Sequence, residues 1–94
     1  MTKPFYTSAA QQDLVDILNY MARDKPGAAL AWIDKIEAKC LVIANNPSIG
    51  ELQEQFGAGV RSSVVGRYVI FHRKANQRVE ILRVIAGDRK ITHL

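Results

Sequence analysis

The chain has 94 residues, 48% of them apolar, and a formal net charge of +4. This composition predicts one folded domain over residues 1–94 rather than a disordered chain, and no apolar run approaches the roughly 20 residues that a membrane-spanning helix needs. Because Cys40 is the only cysteine, an internal disulfide and a cysteine-based zinc site are excluded, and a reducing, cytoplasmic location is expected.

The positive charge is concentrated in the C-terminal part of the chain. Residues 1–57 carry five basic and seven acidic residues, whereas residues 58–94 carry eight basic and two acidic ones. Six of the seven arginines lie in the second part, and arginine is favoured where phosphate or carboxylate is bound through two hydrogen bonds at once. The distribution predicts an acidic partner, either a nucleic acid or a negatively charged polypeptide.

The N-terminal residues predict a short strand followed by a helix. Lys3–Thr7 combines adjacent aromatic residues with a β-branched one, and we expect it to pair with the C-terminal sheet. Ser8, followed three residues later by Gln11, matches the capping box that begins a helix. Apolar residues then recur at helical spacing over residues 9–23. The residues expected on the solvent side are Asp13, Asp16 and Asn19.

A second helix is predicted from Pro26 to about Ala44, because proline suits the first turn of a helix and Asn45-Asn46-Pro47 ends the pattern. Its apolar stripe comprises Ala29, Ile33, Ile36, Cys40 and Ile43, widened by Leu30 and Leu41. Cys40 is expected to be buried and inert, and Trp32 to flank the core. The two helices should form an antiparallel hairpin.

Three further strands are predicted in the basic part, after a polar linker at Ser48–Ala58. They are Val60–Val64, Tyr68–Arg73 and Arg78–Ala86, with turns at Val65-Gly66 and Ala75-Asn76-Gln77 and a tail from Arg89 to Leu94. The predicted fold is α+β in the order β-α-α-β-β-β, with an antiparallel sheet packed against the N-terminal helical hairpin.

Alternation along the strands predicts which residues share a face of the sheet. In the middle strand the two sets are Val69 with Phe71, and Tyr68 with Ile70 and His72. In the last strand they are Val79, Ile81, Arg83 and Ile85, and Glu80, Leu82, Val84 and Ala86. One face should pack on the helices, and the other should stay open, partly apolar and rich in arginine, as is typical of a partner site.

The element order and several short motifs together resemble the RelE/ParE superfamily of bacterial toxins from type II toxin–antitoxin pairs. The motifs are Asp13-Leu14 with Ile17 and Tyr20, Asn46-Pro47 with Gly50, Arg61, the run Gly66–Phe71 and the run Val79–Val84. The helical hairpin, Asn46-Pro47, the ILRVIAG strand and the closing ITHL look more like the ParE branch. That branch implies inhibition of DNA gyrase, whereas RelE-like members cleave messenger RNA on the ribosome.

The resemblance also implies the partners. A ParD-like antitoxin would neutralise the protein with a disordered, acidic and amphipathic tail, and DNA gyrase would be its target. No cofactor, metal or membrane contact is expected, and no direct nucleic-acid binding is expected except through the antitoxin complex. The candidates for antitoxin or target binding are Arg61, Tyr68, Arg73, Arg83, Arg89 and His93.

The ribonuclease alternative needs an acid, a base and cations around the phosphate. Tyr68 stands where the resemblance places a catalytic arginine, Arg89 matches a second arginine, and the tail after Arg89 is too short for the expected tyrosine. A nuclease would have to use Arg89 with His72 or His93. The interpretation of the protein as an enzyme is therefore not the favoured one. A toxin-like fold surviving only as a binding module is the third possibility.

Three of these residues have a second, purely structural interpretation. Arg83 lies in an otherwise apolar strand, so it needs either an acidic segment of a partner or an internal pair with Glu80 or a terminal carboxylate, and both remain open. His72 and His93 are expected to be exposed surface residues rather than an acid–base pair.

Overall fold

The computed structural model describes residues 2–94, which form two helices and a five-stranded mixed sheet. The elements are β1 (Phe5–Tyr6), α1 (Ser8–Asp24), α2 (Pro26–Asn45), β2 (Glu51–Leu52), β3 (Arg61–Val65), β4 (Tyr68–Ala75) and β5 (Arg78–Ala86). The strand order is β1-β5-β4-β3-β2, with β1 parallel to β5 and the other neighbours antiparallel. The predicted α+β class and the order of the predicted elements are confirmed. Over residues 2–94, neither helix has the length and apolar character needed to cross a membrane.

The start of α1 is set by the end of β1. Thr7 continues the pairing with β5, since its N–H donates to the carbonyl of Ile81 at 3.1 Å. The Thr7 hydroxyl accepts a hydrogen bond from the N–H of Ala10 at 3.1 Å, so Thr7 is the N-cap. The predicted capping box at Ser8 is wrong, because the Gln11 side chain donates to the Tyr6 carbonyl instead. The cap therefore joins the sheet and the first helix at one residue.

The helical hairpin covers one face of the sheet and forms the main core with it. The buried members of this core are Ala10, Ile36, Cys40, Ile43, Ala44, Tyr68, Ile70, Val79, Ile81 and Val84. Cys40 is buried as predicted, and Trp32 packs at the flank with its ring edge-to-face on Tyr68 at 6.0 Å between centroids. Leu30 and Leu41 are 63% and 39% exposed, so their assignment to the buried stripe is wrong. α2 therefore carries exposed apolar side chains in addition to its packed stripe.

A β-bulge changes the face of the residues in the second half of β5. Phe71 pairs with Arg83 and His72 with Ile81, which leaves Leu82 as an extra residue without a partner on β4. The predicted faces of β4 hold, since Tyr68, Ile70 and His72 are buried together while Phe71 belongs to a second cluster. Beyond the bulge the predicted alternation in β5 is wrong. Val84 joins the main core with Val79 and Ile81, whereas Ile85 lies on the other face.

The second face of the sheet is partly covered by the chain itself. Val60, Phe71 and Ile85 are buried there. The side chains packed over them are Phe56, Val69, Leu82, Ile91 and Leu94. The Phe56 ring meets Phe71 edge-on at 5.3 Å, from a 3-10 turn at Glu54–Phe56. The predicted linker Ser48–Ala58 thus contains a short strand and a turn, and the face expected to be open carries a small core of its own.

Candidate functional site

A cleft of about 290 Å³ lies between α1 and the end of the sheet where β4 begins and β5 ends. Its lining residues are Asp13, Asp16, Ile17, Tyr20, Arg67, Tyr68, Val84, Ile85, Ala86 and Arg89. Apolar side chains and the buried Tyr68 form much of this lining, with the two arginines and the two aspartates adding charge. We call this the partner cleft.

Backbone hydrogen bonds hold the two arginines of the partner cleft in place. The carbonyl of Arg67 accepts from the N–H of Gly87 at 2.7 Å, and the N–H of Arg89 donates to the carbonyl of Ala86 at 3.1 Å. The Arg67 guanidinium lies 5.9 Å from the centre of the Tyr68 ring. Both arginines are exposed, and within residues 2–94 neither forms an ion pair. They are therefore free to bind carboxylates from outside.

Tyr20 adds an exposed aromatic ring to the rim of the cleft. It projects from α1 and is 64% exposed. Aromatic and arginine side chains are the types most enriched among the residues that dominate binding energy at protein interfaces. The cleft thus offers an apolar lining, an aromatic edge and two cations, which suits an acidic segment that also carries an apolar side chain.

Asp13, which lines the cleft, forms a part-buried ion pair with Arg83 behind it. The Asp13 carboxylate accepts from Arg83 Nε at 2.7 Å, from Arg83 Nη2 at 2.9 Å and from the Val84 N–H at 2.9 Å. The hydrogen bonds to Asp13 raise the pKa of Arg83. β1 pairs with β5 only as far as Ile81, so Asp13 takes the place that a strand partner would fill at Val84.

The structure gives Arg83 an internal ion pair, which is the second of its two predicted interpretations. That partner is Asp13, not Glu80, because Glu80 binds Arg73 at 3.3 Å. The prediction that Asp13 faces solvent is wrong, since it is only 9% exposed. A carboxylate within the helical pattern can be buried when an arginine on a distant strand neutralises it.

His72 lies in a separate buried polar cluster with Ser63 beside Gly50, and Arg61 lies at the edge of this cluster. His72 is 1% exposed, and its Nε2 lies 2.8 Å from the Ser63 hydroxyl. Burial, together with the positive charges of Arg61 and Lys39, lowers the pKa of His72 to about 4. The expectation that His72 is exposed is wrong, because its partner on β3 satisfies the ring within the core.

Gly50 allows this cluster to close, and Arg61 fixes it from outside. Gly50 has a φ of +92°, and a Cβ there would lie 2.8 Å from the Ser63 hydroxyl and 2.6 Å from the carbonyl of Ser62. Arg61 Nη1 donates to the Gly50 carbonyl at 3.1 Å. The Arg61 guanidinium therefore already has a structural role at this end of β3.

The predicted site residues are distributed over several parts of the molecule. Tyr68 and Arg89 line the partner cleft, and Arg83 reaches it through Asp13. The other four, Arg61, Arg73, His72 and His93, do not line it. His93 is exposed in the tail, with its Nδ1 3.2 Å from the Thr92 hydroxyl.

Sequence reasoning missed Tyr20, Arg67 and Asp13 as members of the site. Arg67 could have been found from its position next to Tyr68 in a tight hairpin turn, which brings it beside the end of β5. Tyr20 is an aromatic residue outside the apolar stripe of α1, and that position is a signal of an exposed contact residue. No local pattern marks Asp13, whose partners lie 70 and 71 residues further along the chain.

Comparison with known proteins gives three concordant matches. Residues 5–91 match the sequence model of a family described as the ParE toxin of the type II toxin–antitoxin system parDE. Toxin ParE1 of Caulobacter vibrioides is 35% identical over 86 residues, a region that covers 88% of each chain. A solved structure described as a chromosomal ParDE toxin–antitoxin system from P. aeruginosa superposes with a TM-score of 0.80. It is 22% identical and covers 94% of this chain and 98% of its own, so it shares the fold.

Proposed function

The chain belongs to the ParE toxin family of type II toxin–antitoxin systems, and from that premise we propose that it inhibits DNA gyrase in the cytoplasm and is neutralised by a ParD-like antitoxin. The observation that carries the proposal is the family match over residues 5–91. The partner cleft adds a surface whose chemistry suits an acidic, amphipathic polypeptide.

The burial of His72 argues against one of the two histidines that the ribonuclease alternative would use. A general base must come within hydrogen-bond reach of the ribose hydroxyl from which it takes a proton. His72 lies inside the core with its Nε2 engaged by Ser63, so it has no path to a substrate without unfolding of β3. Tyr68 is also buried, at 4% exposure, at the position where a catalytic arginine would be needed.

The charges of the cleft support an antitoxin segment as its occupant. Arg67 and Arg89 have no carboxylate partner within the described residues, whereas the nearby Arg83 is already neutralised by Asp13. A disordered acidic tail can place a carboxylate on the two free arginines and an apolar side chain over the lining. Within this proposal Arg67 and Arg89 are the antitoxin anchors, and Arg83 contributes by holding the cleft wall.

The target is tested with purified DNA gyrase and relaxed plasmid. Added protein should block supercoiling, and a purified ParD-like antitoxin at equal concentration should restore it. The same preparation is then incubated with ribosomes carrying a defined message. Cleavage of that message while supercoiling proceeds normally would overturn the proposal in favour of a RelE-like ribonuclease, and inactivity in both assays would favour a binding module.

The antitoxin anchor is tested by the substitution Arg89→Glu, with Lys90→Glu as a control of equal charge change at the next exposed position. Reversing a buried interfacial charge costs about 2–5 kcal/mol, so antitoxin binding should weaken by about 30-fold or more in the Arg89 variant. Lys90→Glu should change the dissociation constant by less than about threefold. Equal effects of the two substitutions, measured by calorimetric titration, would exclude a specific role for Arg89.

A further inference from the structure

The end of the sheet opposite the partner cleft carries two adjoining clefts around the turn between β4 and β5. Their volumes are about 640 and 310 Å³, and both are lined by Thr2, Gln77 and Arg78. Lys3 and Asn76 line the larger cleft, and Lys74 lines the smaller one. We call the exposed polar residues Thr2, Lys3, Lys74, Asn76, Gln77 and Arg78 the basic tip. The ladder between β4 and β5 has eight pairs, which run from Ala75 with Arg78 at the basic tip to Tyr68 with Ala86 at the partner cleft.

The positive charge of the basic tip is not neutralised within the molecule. Among residues 2–94, Lys3, Lys74 and Arg78 form no ion pair. Glu80 is the acidic residue that lines the larger cleft, and it is engaged by Arg73. Arg78 lies over the ring of Phe5 at 5.5 Å from its centre, a cation–π contact that orients the guanidinium beside both clefts.

The turn itself is held in an unusual conformation that displays two side-chain amides. Asn76 and Gln77 have φ values of +52° and +63°, as a two-residue hairpin turn with positive φ at both central positions requires. Asparagine is common in this conformation, whereas glutamine in place of glycine costs of order 1 kcal/mol. Both side chains are exposed and line the larger cleft. The strained backbone of Gln77 thus places its side-chain amide where it can donate a hydrogen bond to a ligand in the larger cleft.

We propose that the basic tip binds the phosphate backbone of a nucleic acid. Its lysine, arginine, amide and hydroxyl side chains are the types that contact phosphate oxygens in protein–nucleic acid complexes. An acidic protein would instead be expected to use an apolar anchor. Phe5 is the large apolar side chain exposed at this end, and Arg78 covers its face.

This site departs from the expectation that the chain makes no nucleic-acid contact of its own. That expectation came from the ParE resemblance, from the incomplete set of nuclease residues and from the apolar faces of the sheet. The basic tip lies at the end of the sheet rather than on a face. Because the tip and the partner cleft are at opposite ends of β4 and β5, both can be occupied at once. The inference does not depend on gyrase being the target.

The test is fluorescence anisotropy of a labelled 20-base-pair DNA duplex of random sequence titrated with the purified full chain. Three cations on phosphates give a slope of log affinity against log salt of about −2.7, which is roughly a 40-fold loss of affinity between 50 and 200 mM salt. The substitution pair Lys74→Glu with Arg78→Glu should weaken binding at least about tenfold and reduce the slope by about 2. Single-stranded DNA and duplex RNA of the same length, run in parallel, identify the form that the tip prefers.

The matched control carries Arg23→Glu and Lys90→Glu, two exposed positions outside both clefts, with the same change in net charge. It should keep the wild-type slope and lose less than about threefold in affinity at 100 mM salt. All variants are first shown to melt as the wild type does. Three outcomes would each overturn the proposal. The two double variants could weaken binding equally, or the protein could bind none of the three nucleic acids. The third is that a polyglutamate peptide binds more tightly than the nucleic acids, in a way that depends on Lys74 and Arg78.

Discussion

Replacing Asp13 with alanine removes the carboxylate that joins α1 to the unpaired edge of β5. Three hydrogen bonds are lost at once, two from the Arg83 guanidinium and one from the Val84 N–H. Arg83 is then left as a partly buried cation without a counter-ion, since its side chain is 24% exposed. The result expected is a strongly destabilised but still folding protein.

The size of the effect follows from the burial of the pair. Removing one partner of a buried ion pair costs about 3–5 kcal/mol, and the partial exposure of Arg83 favours the lower end. The Val84 N–H adds a further cost that water entering from the partner cleft reduces. We therefore expect a loss of about 3–4 kcal/mol, a large part of the roughly 5–14 kcal/mol available to a domain of this size. The melting temperature should fall by about 12–30 °C.

Urea unfolding followed by circular dichroism measures this change. The control is Asp16→Ala on the same helix. The Asp16 carboxylate is exposed and accepts a hydrogen bond from the Gln12 side chain, so its removal should change the free energy of unfolding by less than about 0.5 kcal/mol. Adding Arg83→Met to Asp13→Ala removes the stranded charge, so the double variant should be more stable than the sum of the single effects by at least about 1 kcal/mol. A loss below 1 kcal/mol for Asp13→Ala, or strictly additive single effects, would refute the assignment.

Three further predictions concern acid stability, a turn and the tail. His72 is protonated below pH 6.5 in the unfolded chain but only below about 4 in the folded one, so the unfolded chain binds more protons between these values. The free energy of unfolding should therefore fall by up to about 3 kcal/mol as the pH drops from 6.5 to 4. Urea unfolding across this range should show that the His72→Gln variant lacks this dependence. Gly66→Ala should lower the free energy of unfolding by about 2 kcal/mol or more, because residue 66 has a φ of +59° and the new methyl group would overlap the Trp32 ring. Its control is Gly27→Ala, which has open space around it and should leave the melting temperature unchanged or raise it. Ile91→Ala should cost about 1 kcal/mol, since this half-buried side chain covers the second cluster, and an unchanged urea midpoint would mean that the tail does not rest there.

Local patterns in the sequence were sufficient to predict most of the secondary structure. Helical spacing identified both helices, and alternation identified the three long strands, because both patterns depend on neighbours within a few residues. β2 was missed because a strand of two residues shows no alternation, and its pairing with Ser62 and Arg61 depends on a segment elsewhere in the chain. The bulge at Leu82 was missed for a related reason, since a bulge is defined by the register between two strands.

The candidate site was predicted only in part. Tyr68 and Arg89 were identified from the resemblance and do line the partner cleft. Tyr20 and Arg67 became recognisable only when α1 was seen to pass beside the start of β4 and the end of β5. The nucleic-acid site at the basic tip likewise depends on the approach of Lys3 to the distant turn at Asn76 and Gln77.

By itself the sequence determined the α+β class, the order of the predicted elements, the ParE family and the concentration of positive charge in the sheet. These properties follow from periodicity, from motifs in order and from composition, all of which are present in the linear chain. Only the tertiary structure decided that Asp13 neutralises Arg83 and that His72 is buried against Ser63. The free energy of a charge or an imidazole depends on what surrounds it, and here the surroundings include residues from other helices and strands.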